Sequence, residues 1–289
     1  MPKPSTVSEP AELLAYLFAI WPDMKKKQIR DWLKFKAVTV NAEPITQFNH
    51  RLKPGDVVAI RENRFALDEK VLPFRIRVVF EDASLIIIEK PAGLLSMSSA
   101  SERERTAYFQ LTDYVRQGDP QRRERVWIVH RLDRETSGLM IFAKSEDAKR
   151  ALQTGWDQVE KRYEAIVEGG PKEDEGVFES DLDETNVLFT RSGPRTENTR
   201  HAITRFRVLK RARRFSRVQL NLVTGRRHQI RVHLADAGCP IIGDEKYGAT
   251  TDLAKRLGLH SCAMVFKHPV TGQEMTFESP LPGVLSSLV

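Results

Sequence analysis

Cysteine is almost absent from this sequence. Cys239 and Cys262 are the two in 289 residues. They cannot form a disulfide framework, and they lack the spacing of a metal-binding pair. Free, buried thiols in a reducing cytoplasm are the expectation. Long apolar runs are also missing. The longest near the start, Leu13 to Trp21, is interrupted by Tyr16 and follows Glu9 and Glu12, without a basic leader or a cleavage site. Neither a signal peptide nor a membrane span is expected. The chain has no glycine-rich phosphate cradle, no long internal repeat and no low-complexity tract. His130, His228, His233, His260 and His268 show no paired-ligand spacing, so hydrogen bonding is expected of most of them and no metal is expected. Acidic residues are the minority charge: Asp+Glu 39 against Lys+Arg 46, a formal charge of +7 and a pI near 9.4. That balance suits a polyanionic partner.

The pattern along the chain changes near residue 70. Before it, Glu12 to Trp21 and Lys25 to Phe35 read as helices, the first with Leu13, Leu14, Leu17 and Phe18 on one face. The second is strongly basic, with Lys34 at its end and Lys36 just beyond. Strands are expected at Ala37 to Val40 and Val57 to Ile60, and Arg61 to Val71 reads as a polar linker. Beyond it, short strands alternate with two or three helices. Thr204 to Val208 and Arg217 to Val223 alternate apolar and polar residues, as antiparallel strands with one solvated face do. From Arg205 to Arg231 there are ten basic residues and no acidic one. So dense a single-sign run reads as a phosphate-contacting surface. Ser96 to Glu104 and Lys172 to Glu175 read as mobile loops.

The richest stretch is VWIVHRLDRETSGLMIFAK, Val126 to Lys144. Two strand-like runs flank a polar loop in which Asp133 sits between Arg131 and Arg134. Guanidinium groups on both sides favour the ionised carboxylate. The plainer alternative is a turn built on Asp and Gly. The string His130-Arg131-Leu132-Asp133 with Thr136-Ser137-Gly138 resembles the HRLDxxTSG signature of the RluA-type RNA pseudouridine synthases. KRYEAIVEG (161–169), TGRRHQIRVHLADAGCPIIGDEKYG (224–248) and LGLHSCAMVFKHPVTG (257–272) resemble further family segments, in order. VVFEDASLIIIEKPAGLLSM resembles the family's opening. Residues 1–70 resemble the small S-four type RNA-binding module, through VTVNAEP and LKPGDVVAI.

The resemblance implies an α+β catalytic domain over 71–289, on a mixed, mainly antiparallel bent sheet with an RNA-binding cleft. It follows the S-four-like domain of 1–70. It also implies isomerisation of uridine to pseudouridine in structured RNA. That reaction breaks the bond from ribose to N1 of uracil and joins C5 to the same carbon, so no cofactor is expected. It requires a carboxylate as nucleophile or as base on the ribose, a role the resemblance gives to Asp133. Arg231 is assigned as its partner, Tyr163 as the flat side chain under the flipped base, and Leu259 as a contact at the uracil edge. Arg131, Arg226, Arg227, His228, Lys34 and Lys36 are the expected RNA contacts. Ribosomal RNA is favoured as the target over transfer RNA, and a cytoplasmic monomer is expected. The competing readings are a non-catalytic RNA-binding or ribosome-assembly protein on the same fold, and a nucleoside glycosidase. Four features depart from the family pattern. Leu95-Ser96-Met97-Ser98 stands where the family often has V-x-H-P, Lys36 stands where the module has glycine, Arg227 replaces the commoner Thr of TGRTHQIR, and Asp181 to Arg200 matches poorly.

Overall fold

A computed structural model describes residues 4–22, 24, 26–34, 37–60, 70–99, 101–117, 121, 123–186 and 188–289. Lys36 and residues 61–69, most of the expected linker, lie outside it, as does the side chain of Lys34. The chain divides into two compact units, 1–71 with 77–87 and 72–76 with 88–289. The expected boundary, between 70 and 71, did not foresee that 77–87 would group with the first unit. One cut, between Val71 and Leu72, lies at the end of the expected linker, and another runs through the strand Leu85–Lys90.

In the first unit, helices Leu13–Ile20 and Lys26–Lys34 follow the first strand and precede the other three of a four-stranded antiparallel sheet in the order Ser5–Thr6, Val57–Ile60, Val38–Val40, Glu43–Pro44. Leu13 and Leu17, one helical turn apart, are fully buried with Ile29, Val38 and Val58. Asn41 and Ala42 join two strands with φ of 52° and 70°. Two consecutive left-handed residues make the tight hairpin turn whose twist suits paired strands. Asn41 also bonds Asp56 and the Val57 N–H, closing the sheet's other turn. The basic helix buries Ile29, Trp32 and Leu33, and Lys26 and Arg30 lie over the Phe18 ring.

The second unit is built on strands ordered Arg191–Gly193, Glu175–Asp183, Thr199–Arg211, Phe215–Leu222, Glu160–Glu168, Leu259–Lys267, Ser137–Ala143. Every pairing along this run is antiparallel except the last, which is parallel. Helices Ala107–Gln117, Glu146–Thr154 and Gln229–Asp236 accompany it. No described helix is long and apolar enough to cross a membrane. Gly138 sits within the parallel pair, opposite Ser261, with φ of +114°; a Cβ there would lie 2.2 Å from the Ser261 carbonyl oxygen. The glycine therefore permits a close strand approach. On the other side of Leu259–Lys267, the register with Glu160–Glu168 shifts between Arg162 and Tyr163: Arg162 faces Ala263, and Tyr163 faces Ser261. Cys262 is the extra residue of this bulge, a device that re-aims neighbouring side chains.

The basic run proves partly neutralised. Arg207 pairs with Glu175 at 3.2 Å, Arg211 with Asp174 at 2.8 Å and Arg217 with Glu164 at 2.6 Å. The run lacks acidic residues because its carboxylates come from neighbouring strands. Asp174 and Glu175, expected in a mobile loop, are thus engaged. Ser96, also expected in a mobile loop, is buried and bonded to Leu132.

Candidate active site

The polar loop between Ile128 and Ser137 is pinned along its length. The Gln153 amide donates to the Val129 carbonyl at 3.0 Å. His130 accepts the Ile141 N–H on Nε2 at 3.0 Å and stacks on Trp156. Burial, with the charge of Lys161, pushes its imidazole down to about 3, so it is neutral and protonated on Nδ1. Ser96 Oγ bonds both the N–H and the carbonyl of Leu132, at 3.1 and 2.6 Å. Lys90, 1 % exposed, donates to the carbonyls of Pro91, Leu94 and Arg134 at 2.9, 2.7 and 3.0 Å. Three acceptors match the three donors of an ammonium group. Burial pulls Lys90 down to about 7, against Glu135 and Asp133.

This frame presents Asp133 to a cavity of about 690 Å³. The arginines beside it in sequence are not its neighbours in space. Arg131 reaches the Met97 sulfur at 3.6 Å, and Arg134 reaches the Gly93 carbonyl and Glu135. Asp133 Oδ2 instead faces Arg231 Nη1 at 3.3 Å and His228 Nε2 at 3.8 Å. The two-pronged bond of Arg231 goes to Asp244, Nε to Oδ2 and Nη2 to Oδ1, both at 2.7 Å. Asp244 is 2 % exposed. Burial opposes the charge on Arg231, but Asp244 first and Asp133 second hold its pKa above the ordinary value. The sequence reading of Arg231 as the forked partner of Asp133 is corrected accordingly. Arg231 is clamped by Asp244 and offers its remaining nitrogen to Asp133.

Tyr247 completes the support. Its ring lies 4.8 Å from the Arg231 guanidinium carbon, and its hydroxyl accepts the Thr190 N–H at 3.1 Å. The hydroxyl proton is then free to point at His228 Nδ1, 2.7 Å away, which leaves the imidazole proton on Nε2, facing Asp133. Burial pushes His228 down to about 4, although Asp133 opposes this, so the group is a neutral donor near pH 7. His228 has φ of 54° and precedes helix Gln229–Asp236, so left-handed backbone sets the ring's direction.

Tyr163 is buried and lines the same cavity as Asp133. Burial raises its pKa, the Asp133 charge adds to that, and the Ser261 hydroxyl offsets part. The phenol therefore stays protonated. Leu259, Lys161 and Trp156 line the cavity too. Arg226 lines it while its Nε donates to the His201 carbonyl. Arg227, expected on RNA phosphates, turns its guanidinium to Thr190, Glu184 and Asn186. His233 and His260 each bridge two hydroxyls, and His268 accepts N–H groups. Asp244, Tyr247, Lys161 and Trp156 were not singled out from the sequence. GDEKYG and KRYEAIVEG carry three of them inside recognised segments; Trp156 had no signal.

The sequence profile of the RNA pseudouridylate synthase family matches residues 84–236. The RNA pseudouridine synthase YlyB of Bacillus subtilis is 32% identical over 278 residues, covering 92% of this chain and 89% of its own. The ribosomal large subunit pseudouridine synthase D of Vibrio cholerae is 31% identical over 295 residues, covering 91% and 85%. Among solved structures, human RNA pseudouridylate synthase domain containing 4 is similar with a TM-score of 0.61 at 26% identity, over 72% of this chain and 90% of that one.

Proposed function

The chain belongs to the RNA pseudouridine synthase family, and on that premise we propose how its own residues carry the reaction and which RNA it meets. The protein isomerises uridine to pseudouridine in RNA. The N1–C1′ bond breaks, the base turns, C5 bonds to C1′, and a proton leaves C5 while N1 gains one. Product and substrate are isomers.

Asp133 is the reacting carboxylate, as nucleophile on C1′ or as base on the ribose. The observation that carries this reading is its contact with a buried, doubly clamped guanidinium. Both of its close contacts fall on Oδ2, which leaves Oδ1 toward the ribose. The Arg231 guanidinium and the His228 N–H face the same carboxylate oxygen and hold Asp133 in position as the glycosidic bond opens. Tyr163 serves as a flat face for the extruded uracil and as a neutral hydrogen-bonding group. Its raised pKa weighs against a phenolate base. Leu259 borders the base. Extrusion costs a few kcal/mol, and Arg131, exposed at the cavity beside Met97, is suited to occupy the space vacated in the RNA.

Ribosomal RNA is the proposed target, acted on by a monomer in the cytoplasm; the names of relatives such as the Vibrio cholerae protein support the target. The first unit is proposed as an S-four-like RNA-binding module, supported by its basic helix and by its two helices ahead of the strands Val38–Val40, Glu43–Pro44 and Val57–Ile60. A pure binding role on the same fold has no use for the carboxylate opposite Arg231.

The test is modification of ribosomal RNA transcripts by wild type and Asp133→Asn, with pseudouridine mapped and free uracil measured. Wild type should modify a defined uridine and release no uracil. The variant should lose at least ~10³-fold in single-turnover rate, while RNA affinity stays within about threefold. Substantial activity in the variant removes Asp133 from the chemistry, free uracil makes the protein a glycosidase, and modification confined to transfer RNA changes the target.

A further inference from the structure

Arg227 and the segment Asp181 to Arg200 are both departures from the family pattern, and the structure bonds one to the other. Strands Glu175–Asp183 and Arg191–Gly193 are antiparallel neighbours, and their connection begins at Glu184, in the cavity lining. Glu184 accepts the Arg227 N–H at 2.5 Å. The Arg227 guanidinium donates to Thr190 Oγ1 at 3.1 Å, to the Glu184 carbonyl at 2.9 Å and to the Asn186 carbonyl. Phe189 stacks on Tyr247 at 5.0 Å, and Lys246 donates to the Leu188 carbonyl. Leu188, 75% exposed, is the most exposed large apolar residue among those described.

We infer that this connection is a substrate-selecting element, with Arg227 as its positioning residue and Leu188 and Phe189 as the apolar surface that meets nucleotides flanking the target uridine. The inference rests on the proposed function. Extruding a base exposes the faces of its neighbours, and apolar side chains packed against unstacked bases favour some bases over others through stacking strength, without reading their edges. A planar fork holds several acceptors of one bend in fixed directions; an ammonium on a flexible stem lacks those directions, and a threonine offers a single donor.

The test uses the full chain and the smallest ribosomal RNA fragment that wild type modifies, beside the same fragment with both flanking nucleotides replaced. Leu188→Ser and Arg227→Thr should each raise the half-saturating concentration of the native fragment about tenfold. They should also narrow the preference between the fragments, with the rate at saturation within about threefold of wild type. Arg227→Lys should not restore the preference, and the double variant should be no worse than the poorer single one. An unchanged preference in both single variants overturns the proposal, as does a loss confined to the saturating rate. If Arg227→Thr fails to fold, exposed Leu188→Ser decides alone. Wild type that modifies no RNA refutes the functional reading itself, a result distinct from an active enzyme with unchanged preference.

Discussion

Arg231 holds two carboxylates with one guanidinium, and the two bonds differ in kind. The clamp to Asp244 is bidentate and buried; the contact with Asp133 is single and longer. Arg231→Lys can keep one contact but not the planar fork. It should lower single-turnover rate at least ~10-fold, with half-saturating RNA changed less. Asp244→Asn should destabilise the fold by roughly 3–5 kcal/mol, as breaking a buried pair does, and should also slow chemistry by freeing Arg231 to rotate. Denaturant unfolding and single-turnover rates measure the two effects; wild-type stability in Asp244→Asn would refute the clamp. That Asp133, Tyr163 and Arg231 line one cavity follows the three short, ordered motifs of the sequence that carry them. Asp244 was overlooked because the motif names Arg231 as the partner of Asp133 and gives no sign that Arg231 needs a second carboxylate. Arg131 and Arg134 bond Met97, Gly93 and Glu135 instead, and the carboxylate that fixes Arg231 lies thirteen residues beyond it.

At the scale of elements, two strands are constrained by backbone rather than side chains. Gly138 lets Ser137–Ala143 run against Ser261 at a distance no Cβ allows. Gly138→Ala should cost at least ~3 kcal/mol, from a left-handed backbone plus a backbone clash, read from the unfolding midpoint; a loss under ~1 kcal/mol would contradict the close approach. The sequence reading made Gly138 part of a turn, because a glycine's need for close approach leaves no mark distinct from its need for a bend. The bulge at Cys262 left no mark at all. The Arg-rich hairpin shows the opposite limit: periodicity located its strands, but pairing with Glu164, Asp174 and Glu175 depends on strands far away in sequence. Arg213, at its exposed turn, should carry about 0.7 of the log–log slope of RNA affinity against salt, as one phosphate contact does. Arg213→Gln should lower the slope by that amount, and Arg211→Gln, already bonded to Asp174, by much less. Equal changes in equilibrium binding would mean that the carboxylates do not compete with RNA.

For the whole molecule, buried imidazoles set an acid limit. Burial holds His228, His233 and His260 down to about 4 and His130 to about 3, against roughly 6.5 in an unfolded chain. Between those values the unfolded chain binds more protons, so stability falls as pH drops from about 6.5 to 4 and levels off below about 3. The upper bound is about 3 kcal/mol for each ring held near 4 and about 5 kcal/mol for His130, less for His228 and His233, where solvent screens more. Urea unfolding at pH 7, 6, 5 and 4 should show that slope, and His260→Gln should flatten its share; a flat profile would show that the rings are not held neutral. Composition already marked a basic chain of two parts, and the mixed, mainly antiparallel α+β class followed from the family resemblance. Which polar groups end up dry depends on contacts that no local pattern encodes.

The parallel pair of Ser137–Ala143 with Leu259–Lys267 joins segments 123 residues apart, and the contact of Asp133 with Arg231 spans 98. A chain emerging at roughly 5–20 residues per second would wait about 5–20 seconds after Asp133 for its counter-ion. The strand that follows Asp133 is buried at all seven positions. During synthesis that strand must stand without its parallel partner, as long-range pairing forms late and leaves apolar strands open to association. The close approach that lends the finished site its rigidity therefore makes biosynthesis its most vulnerable period, when dependence on folding helpers and tendency to aggregate are greatest.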